Sequence, residues 1–166
     1  MGSMNRKITK TISEVLVDLT STPMSCGIEK FLNGKRYISG YSADAIALGD
    51  VQHLSRTATS GQEVTAVDGA TNAIAEQQIG VCVKALTAAG ITWFQVAGLC
   101  EAFVDGDSVD VAAGDFLQLI NGDDDFVQDA VESVSSSAIA VDANAAAAAL
   151  KTVLLLGRLV DIPAAA

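Results

Sequence analysis

Polar and apolar residues alternate most clearly between Gln78 and Asp105, where two apolar runs flank the small-residue turn Thr87-Ala88-Ala89-Gly90. In the second run Phe94, Val96, Gly98, Cys100, Ala102 and Val104 share one parity, while Trp93, Gln95, Leu99 and Glu101 share the other. A period of two with one apolar and one mixed face predicts a half-buried strand rather than a helix. Shorter runs repeat the pattern on both sides. Ala45 to Val51 gives a short strand and turn, and Gln62 to Val67 gives another that closes at Asp68-Gly69. Downstream, Asp105-Gly106-Asp107 turns towards Val109 to Ala113. Gly114-Asp115 opens the strand Phe116 to Ile120, and Asn121 to Asp125 turns into Phe126-Val127. Turn signals roughly every 8–12 residues with short strands between them predict an all-β body, a small β-sandwich or barrel, over residues 44–163.

The chain ahead of that body reads differently. Met1-Gly2-Ser3 resembles a tag remnant before a native Met4. From Arg6 to Leu19 the sequence alternates, with Ile8, Ile12, Val15 or Leu16, and Leu19 on the apolar side; strand and helix both fit part of it, the Thr and Val content favours extended chain, and Thr20 to Pro23 ends the segment. Residues 24–43 are rich in Ser, Gly and Tyr, and Asn33-Gly34 marks a tight turn between Phe31-Leu32 and Arg36-Tyr37-Ile38. An edge hairpin of the body accounts for these residues. The favoured expectation is an extended N-terminal arm over residues 1–43 that packs on a neighbouring subunit, because so long an irregular stretch is unusual inside a compact domain. Residues 164–166 form a tail.

A weak internal repeat runs through the body. Ile79-Gly80-Val81-Cys82-Val83, a small-residue turn and Thr92 to Leu99 resemble Ile139-Ala140-Val141, then Asp142 to Ala149, then Thr152 to Val160. Aligning Gly98 with Gly157 requires one gap if Ile79 is set against Ile139, and it puts Val153, Leu155 and Leu159 at the core positions of Phe94, Val96 and Cys100. The alanine run from Ala145 to Ala149 has helix propensity but is too short to hold a helix alone, so at most one or two turns are expected there before a strand.

Composition narrows the functional classes. With 166 residues, half of them apolar, the chain can fill one sizeable core, and one domain with tails is expected. Its apolar runs stop well short of the ~18 residues of a membrane span, and no secretory leader pattern opens it, so a soluble, unexported protein without a membrane partner is expected. A net charge of -10 disfavours nucleic acid as a partner. The charge is also segregated. Residues 1–36 carry six cations against three carboxylates, whereas the rest of the chain carries four cations against 17. A basic front on an acidic body suits an acidic partner, and another copy of the same body qualifies.

Reactive chemistry is scarce. Cys26, Cys82 and Cys100 form an odd set without C-x-x-C spacing, which favours three free thiols in a reducing compartment. The single His53 has no second His or Cys at ligand spacing and reads as a surface or hydrogen-bonded histidine. Ser25-Cys26-Gly27 lacks the strand-to-helix elbow of a nucleophile. The groups Asp105, Asp107, Asp110 and Asp123, Asp124, Asp125 could offer oxygens to calcium, but neither follows the EF-hand pattern, and Asp with Gly is also what tight turns require. No catalytic centre, metal or cofactor is expected. A calcium- or glycan-binding β-domain stands as the alternative class.

Several short motifs occur in a telling order: Ala47-Leu48-Gly49-Asp50-Val51, Gly61-Gln62-Glu63-Val64, Ile79-Gly80-Val81, Ala97-Gly98, then Val109 to Leu117 with Gly114-Asp115-Phe116, and a closing Ile139-Ala140-Val141 before a Leu/Val strand. Over residues 45–160 this order resembles the small capsid cement or head decoration proteins of tailed bacteriophages. The resemblance implies an all-β, non-catalytic structural protein of the virion. Such a protein is made in the host cytoplasm and clips onto the capsid exterior, usually as a trimer, holding major capsid proteins together. Arg6, Lys7, Ile8, Lys10, Ile12 and Trp93 are then the expected subunit or capsid contacts.

Overall fold

The computed structural model describes residues 26–56, 64–67, 74–120 and 123–162. Among these residues there is no helix. The strands are β1 (Glu29–Leu32), β2 (Lys35–Ser42), β3 (Val51–Arg56), β4 (Val64–Val67), β5 (Ile74–Cys82), β6 (Gly90–Val104), β7 (Phe116–Leu119), β8 (Phe126–Asp129), β9 (Ala138–Ala140), β10 (Ala149–Leu155) and β11 (Leu159–Ile162).

The pairings close into a ring twice. In the first ring β2 runs parallel to β4, and antiparallel pairs then link β4 to β3, β3 to β5, β5 to β6, and the first half of β6 back to β2. In the second, the far half of β6 runs parallel to β8, and antiparallel pairs link β8 to β7, β7 to β9, β9 to β10, and β10 back to β6. The body is therefore a pair of five-stranded barrels that share one strand, and closure leaves each ring without free edges.

The two barrels are one design used twice, strand for strand and register for register. Val51↔Val81 and Gln52↔Gly80 in the first recur as Phe116↔Ile139 and Leu117↔Ala138 in the second. Ile38↔Phe94 recurs as Cys100↔Val153, and Leu54↔Ala66 as Leu119↔Phe126. The parallel pair Ser42↔Ala66 recurs as Val104↔Phe126. The entry turns match as well: Asp50 Oδ2 accepts the Ala47 N–H at 2.6 Å, and Asp115 Oδ2 accepts the Ala112 N–H at 2.8 Å.

The interiors follow from the same correspondence. Ile38, Ile46, Leu54, Cys82, Phe94 and Val96 form the core of the first barrel. Their counterparts Cys100, Val111, Leu119, Ala140, Val153 and Leu155 all lie in the core of the second. That second cluster also takes in Val51, Ile79 and Val81 from the opposite face of β3 and β5, so the barrels are joined by buried apolar surface as well as by β6. Each fully buried side chain of this size contributes about 1.5–3 kcal/mol.

Sharing a strand requires β6 to leave one sheet and enter another midway along its 15 residues. Gly98, with φ +90°, makes that bend, in a conformation that L-residues rarely adopt. Gly157, its counterpart at φ +69°, follows β10 and redirects the chain into β11, which returns to pair with β5 of the first barrel. A Cβ on Gly157 would lie 2.8 Å from the Cβ of Ala97, and one on Gly98 would lie 3.1 Å from the Gly34 carbonyl. The start of β2, the bend in β6 and the end of β10 are thus stacked with no room for a side chain at Gly98 or Gly157.

Several expectations are corrected. The body does not begin near residue 44. The Asn33-Gly34 turn joins β1 to β2, and β2 is a barrel wall, bonded to β6 along Arg36 to Ser42, so residues 29–42 belong to the body and not to an arm. Residues 1–25 lie outside the described part of the chain. The alanine run adopts no helical turn. Instead the buried Asn144 side-chain amide donates to the carbonyls of Val104, Ala146 and Ala147 at 2.7, 2.9 and 3.3 Å, holding the loop against the end of β6. The repeat is real, but Ile139 matches Val81 rather than Ile79. A two-residue slip leaves every side chain on the same face, so apolar alternation cannot detect it. Val153 and Leu155 take the predicted core positions, whereas Leu159 is 59% exposed because Gly157 has already turned the chain away.

Gly157→Ala and Gly98→Ala are each expected to destabilise the protein by about 2–3 kcal/mol, through the backbone conformation and the close approach together. Gly34→Ala, at φ +76° but with open space around it, should cost only the backbone part, about 1–2 kcal/mol. Urea unfolding of the three variants measures the difference.

Candidate interaction surface

Both barrel interiors are filled by their own side chains, which moves attention to the outside. On the outer face of the second barrel, Ile139, Leu154 and Leu99 stand side by side across β9, β10 and β6. Leu99 is 50% and Leu154 37% exposed. Further along the same face Leu150 pairs with Phe103. The loop before β3 lies against them, with the Phe103 N–H bonded to the Gly49 carbonyl at 3.0 Å and Leu48 left exposed. Between the two apolar groups sit Glu101 and Thr152, which are cross-strand partners. Lys35, Leu48, Leu99, Glu101 and Leu150 border a cleft of about 400 Å³. An acid group flanks it: Asp142, fully exposed, accepts the Thr152 N–H at 3.1 Å, and the Thr152 hydroxyl together with that N–H holds its carboxyl below its ordinary range.

A smaller patch lies at the β8–β9 connection. Arg158 donates to the carbonyls of Ser136 and Ser133 at 2.8 and 3.1 Å and pairs with Glu132 at 3.1 Å. Asp129 accepts both the Ser133 and Ser136 hydroxyls at 2.6 Å. This network fixes a loop that presents Val131 and Val134 to solvent beside the exposed Leu159 at the start of β11.

The residues expected to make contacts fare unequally. Arg6, Lys7, Ile8, Lys10 and Ile12 lie outside the described residues. Trp93 is not an open contact: it is 1% exposed, with the Lys30 ammonium 4.7 Å above its ring, because the outer face of β2 and β6 is covered in this barrel. His53 is buried, not at the surface. None of the three cysteines forms a disulfide, and burial pushes the thiols of Cys82 and Cys100 up to about 11 and about 12, leaving them protonated and unreactive at neutral pH.

The acidic turns behave as turns. Asp105 Oδ1 accepts the Asp107 N–H at 2.9 Å, closing an Asx turn. Among the described residues no group of three or more His, Cys, Asp or Glu side chains is placed to hold a metal ion. The turn ahead of β8 has a structural task instead. The Asp124 carbonyl accepts the Val51 N–H at 2.7 Å and the Phe126 carbonyl accepts the Asp105 N–H at 2.8 Å, which pins the turn between the two barrels. Partial burial, and then the neighbouring Asp105, Asp123 and Asp124, push the Asp125 carboxyl up to about 6.

Leu99, Leu150 and Leu154 were not singled out from sequence. The mixed parity of Trp93, Gln95, Leu99 and Glu101 was the available signal, and it gains meaning only once Leu154 is known to stand beside Leu99.

What these features define is a strand-built body with filled barrels, a smaller exposed patch at the β8–β9 connection, and a larger exposed apolar face that carries Glu101 between its leucines and Asp142 beside it. No family model and no curated protein matches the chain. Among solved structures it is similar to the head fiber gp8.5 N base of bacteriophage phi29, with a TM-score of 0.48 and 14% sequence identity, over 75% of this chain and 96% of that one. At this level of similarity the functional reading depends on the surface itself.

Asp125 gives a pH prediction with a definite sign. Its folded pKa lies above the unfolded value of 3.8, so the folded state binds the proton more tightly and stability falls as pH rises from about 4 to about 6. Asp125→Asn should flatten that slope and raise stability at pH 7 by about 1 kcal/mol, after discounting for solvent screening at a half-exposed site. Urea unfolding at pH 4 and pH 7 checks both parts.

Proposed function

We propose that this protein is a structural virion component, a cement or decoration subunit that binds the outer surface of a tailed-phage head. In this reading it clamps neighbouring major capsid proteins, acts as a trimer and performs no catalysis. The supporting observation is where the chain places its unsatisfied surface. Both barrels are closed and packed, while Leu48, Leu99, Leu150 and Leu154 stand exposed beside Glu101 and Asp142. An apolar patch of this kind, rimmed by polar groups, marks a protein-binding surface. The ordered series of motifs from Ala47 to Val160 that resembles the cement proteins supplies the kind of partner. The basic Arg6, Lys7 and Lys10 supply a charge match to acidic surfaces. Many modest contacts repeated around a symmetric oligomer would give firm attachment without any single strong site.

Co-sedimentation of the full chain with purified expanded capsids tests the proposal. Bound protein in stoichiometric amount is expected. Deleting residues 1–22 should lower occupancy at least about tenfold at moderate salt, while circular dichroism and the melting temperature of the body stay unchanged. Absence of co-sedimentation, or undiminished occupancy after the deletion, would count against it.

A further inference from the structure

The duplication allows each surface position of one barrel to be compared with its counterpart on the other. Tyr37, Ser39, Gln95 and Val81 on the outer face of the first barrel are 6%, 0%, 2% and 0% exposed. Their register counterparts on the second barrel are Leu99, Glu101, Leu154 and Ile139. There Leu99 is 50% and Leu154 37% exposed, and Glu101 is exposed too. The same face is thus sealed on one barrel and bare on the other, although the bare version is the more apolar.

The second barrel itself covers Val81, which belongs to its buried cluster, and the order of the chain accounts for the cover over Ser39 and Trp93. The first barrel is preceded by further chain, and where that chain enters the body, at Ile28 and β1, it lies against this face. Ile28 donates its N–H to the Ser39 hydroxyl at 2.8 Å, and Lys30 reaches over Trp93. The second barrel has no leader of its own, because its first strand is the continuation of β6. We infer that the bare face of the second barrel is the docking site for the leading segment of a second copy of this chain, with residues 6–19 of that copy supplying the cover.

Pattern, charge and length all suit this occupant. Within residues 6–19, Ile8, Lys10 and Ile12 share one parity, so an extended segment offers two apolar side chains with a cation between them to a face where Leu99 and Leu150 lie on either side of Glu101. Arg6, Lys7 and Lys10 bring positive charge to a face that carries Glu101 among its leucines and Asp142 beside them. The 25 residues before Cys26 can span on the order of 80 Å when extended, enough to reach a neighbouring molecule. Each copy then offers one leader and has one vacant face, so copies join head to tail and a closed ring leaves neither unused. This deepens the oligomeric part of the proposed function and rests on that part alone.

The test uses full-length chains in solution, without capsids, so its outcome is separate from capsid binding. Leu154→Lys blocks the face and keeps the leader; Ile8→Asp with Ile12→Asp spoils the leader and keeps the face. Sedimentation equilibrium should find the unaltered chain as a closed oligomer, each variant alone at the mass of one chain, and an equimolar mixture at the mass of two, since one working leader meets one working face. Leu99→Lys, at an even more exposed position, serves as a second face variant, and circular dichroism verifies that all the variants are folded. A monomeric parent chain, a variant that still associates alone, or a mixture that stays at one-chain mass would each overturn the inference.

Discussion

Everything in this body depends on β6 serving two barrels at once. Its first half closes one ring through Tyr37 to Ser42 of β2, and its second half opens the other through Ala149 to Leu155 of β10. A continuous strand can do both only if it changes sheet midway, and the positive φ at Gly98 permits that. Gly157 repeats the device one barrel later, and the close packing of Gly34, Ala97, Gly98 and Gly157 fixes how the two rings sit on each other. The shared strand also explains why two units fit in so short a chain. Neither barrel must supply all five of its own strands, and Val51, Ile79 and Val81 bury one against the other.

Duplication kept the pairings and changed the surfaces. Six interior positions of the first barrel remain interior in the second, with the large Phe94 matched by Val153 and the small Cys82 by Ala140. Outer positions diverged instead: Trp93 is matched by Thr152, Gln95 by Leu154, and Tyr37 by Leu99. Interiors are constrained by close packing, and outer faces answer to whatever lies against them. The contrast between the two outer faces is therefore the most informative feature of the molecule for its interactions.

The sequence displayed the strands with one apolar face most clearly, and for that reason Phe94, Val96, Cys100, Ala102 and Val104 were legible as core. β2 was not, because Tyr37, Ile38, Ser39 and Gly40 are all buried and a strand covered on both faces shows no alternation. Its Ser, Gly and Tyr content then read as irregular chain. The alanine run misled in the opposite direction: helix propensity there is overridden by Asn144, whose three side-chain hydrogen bonds hold the segment as a bent loop leading into β10. The repeat was visible through its glycines and only its register was not. The bare face was partly written in the sequence as the mixed parity of β6, but the neighbours that make Leu99 part of a row come from strands far away in the chain.

The return of β11 to β5 has a mechanical meaning. The chain passes from the first barrel to the second through β6 and comes back through Gly157, so the two rings are sewn together at both ends of the second one. A load applied to the last strand is delivered into the first barrel rather than hanging from the second, and it must strip β11 from β5 before it can pry the rings apart. Tension along the chain is therefore carried by a loop of backbone and not by a hinge.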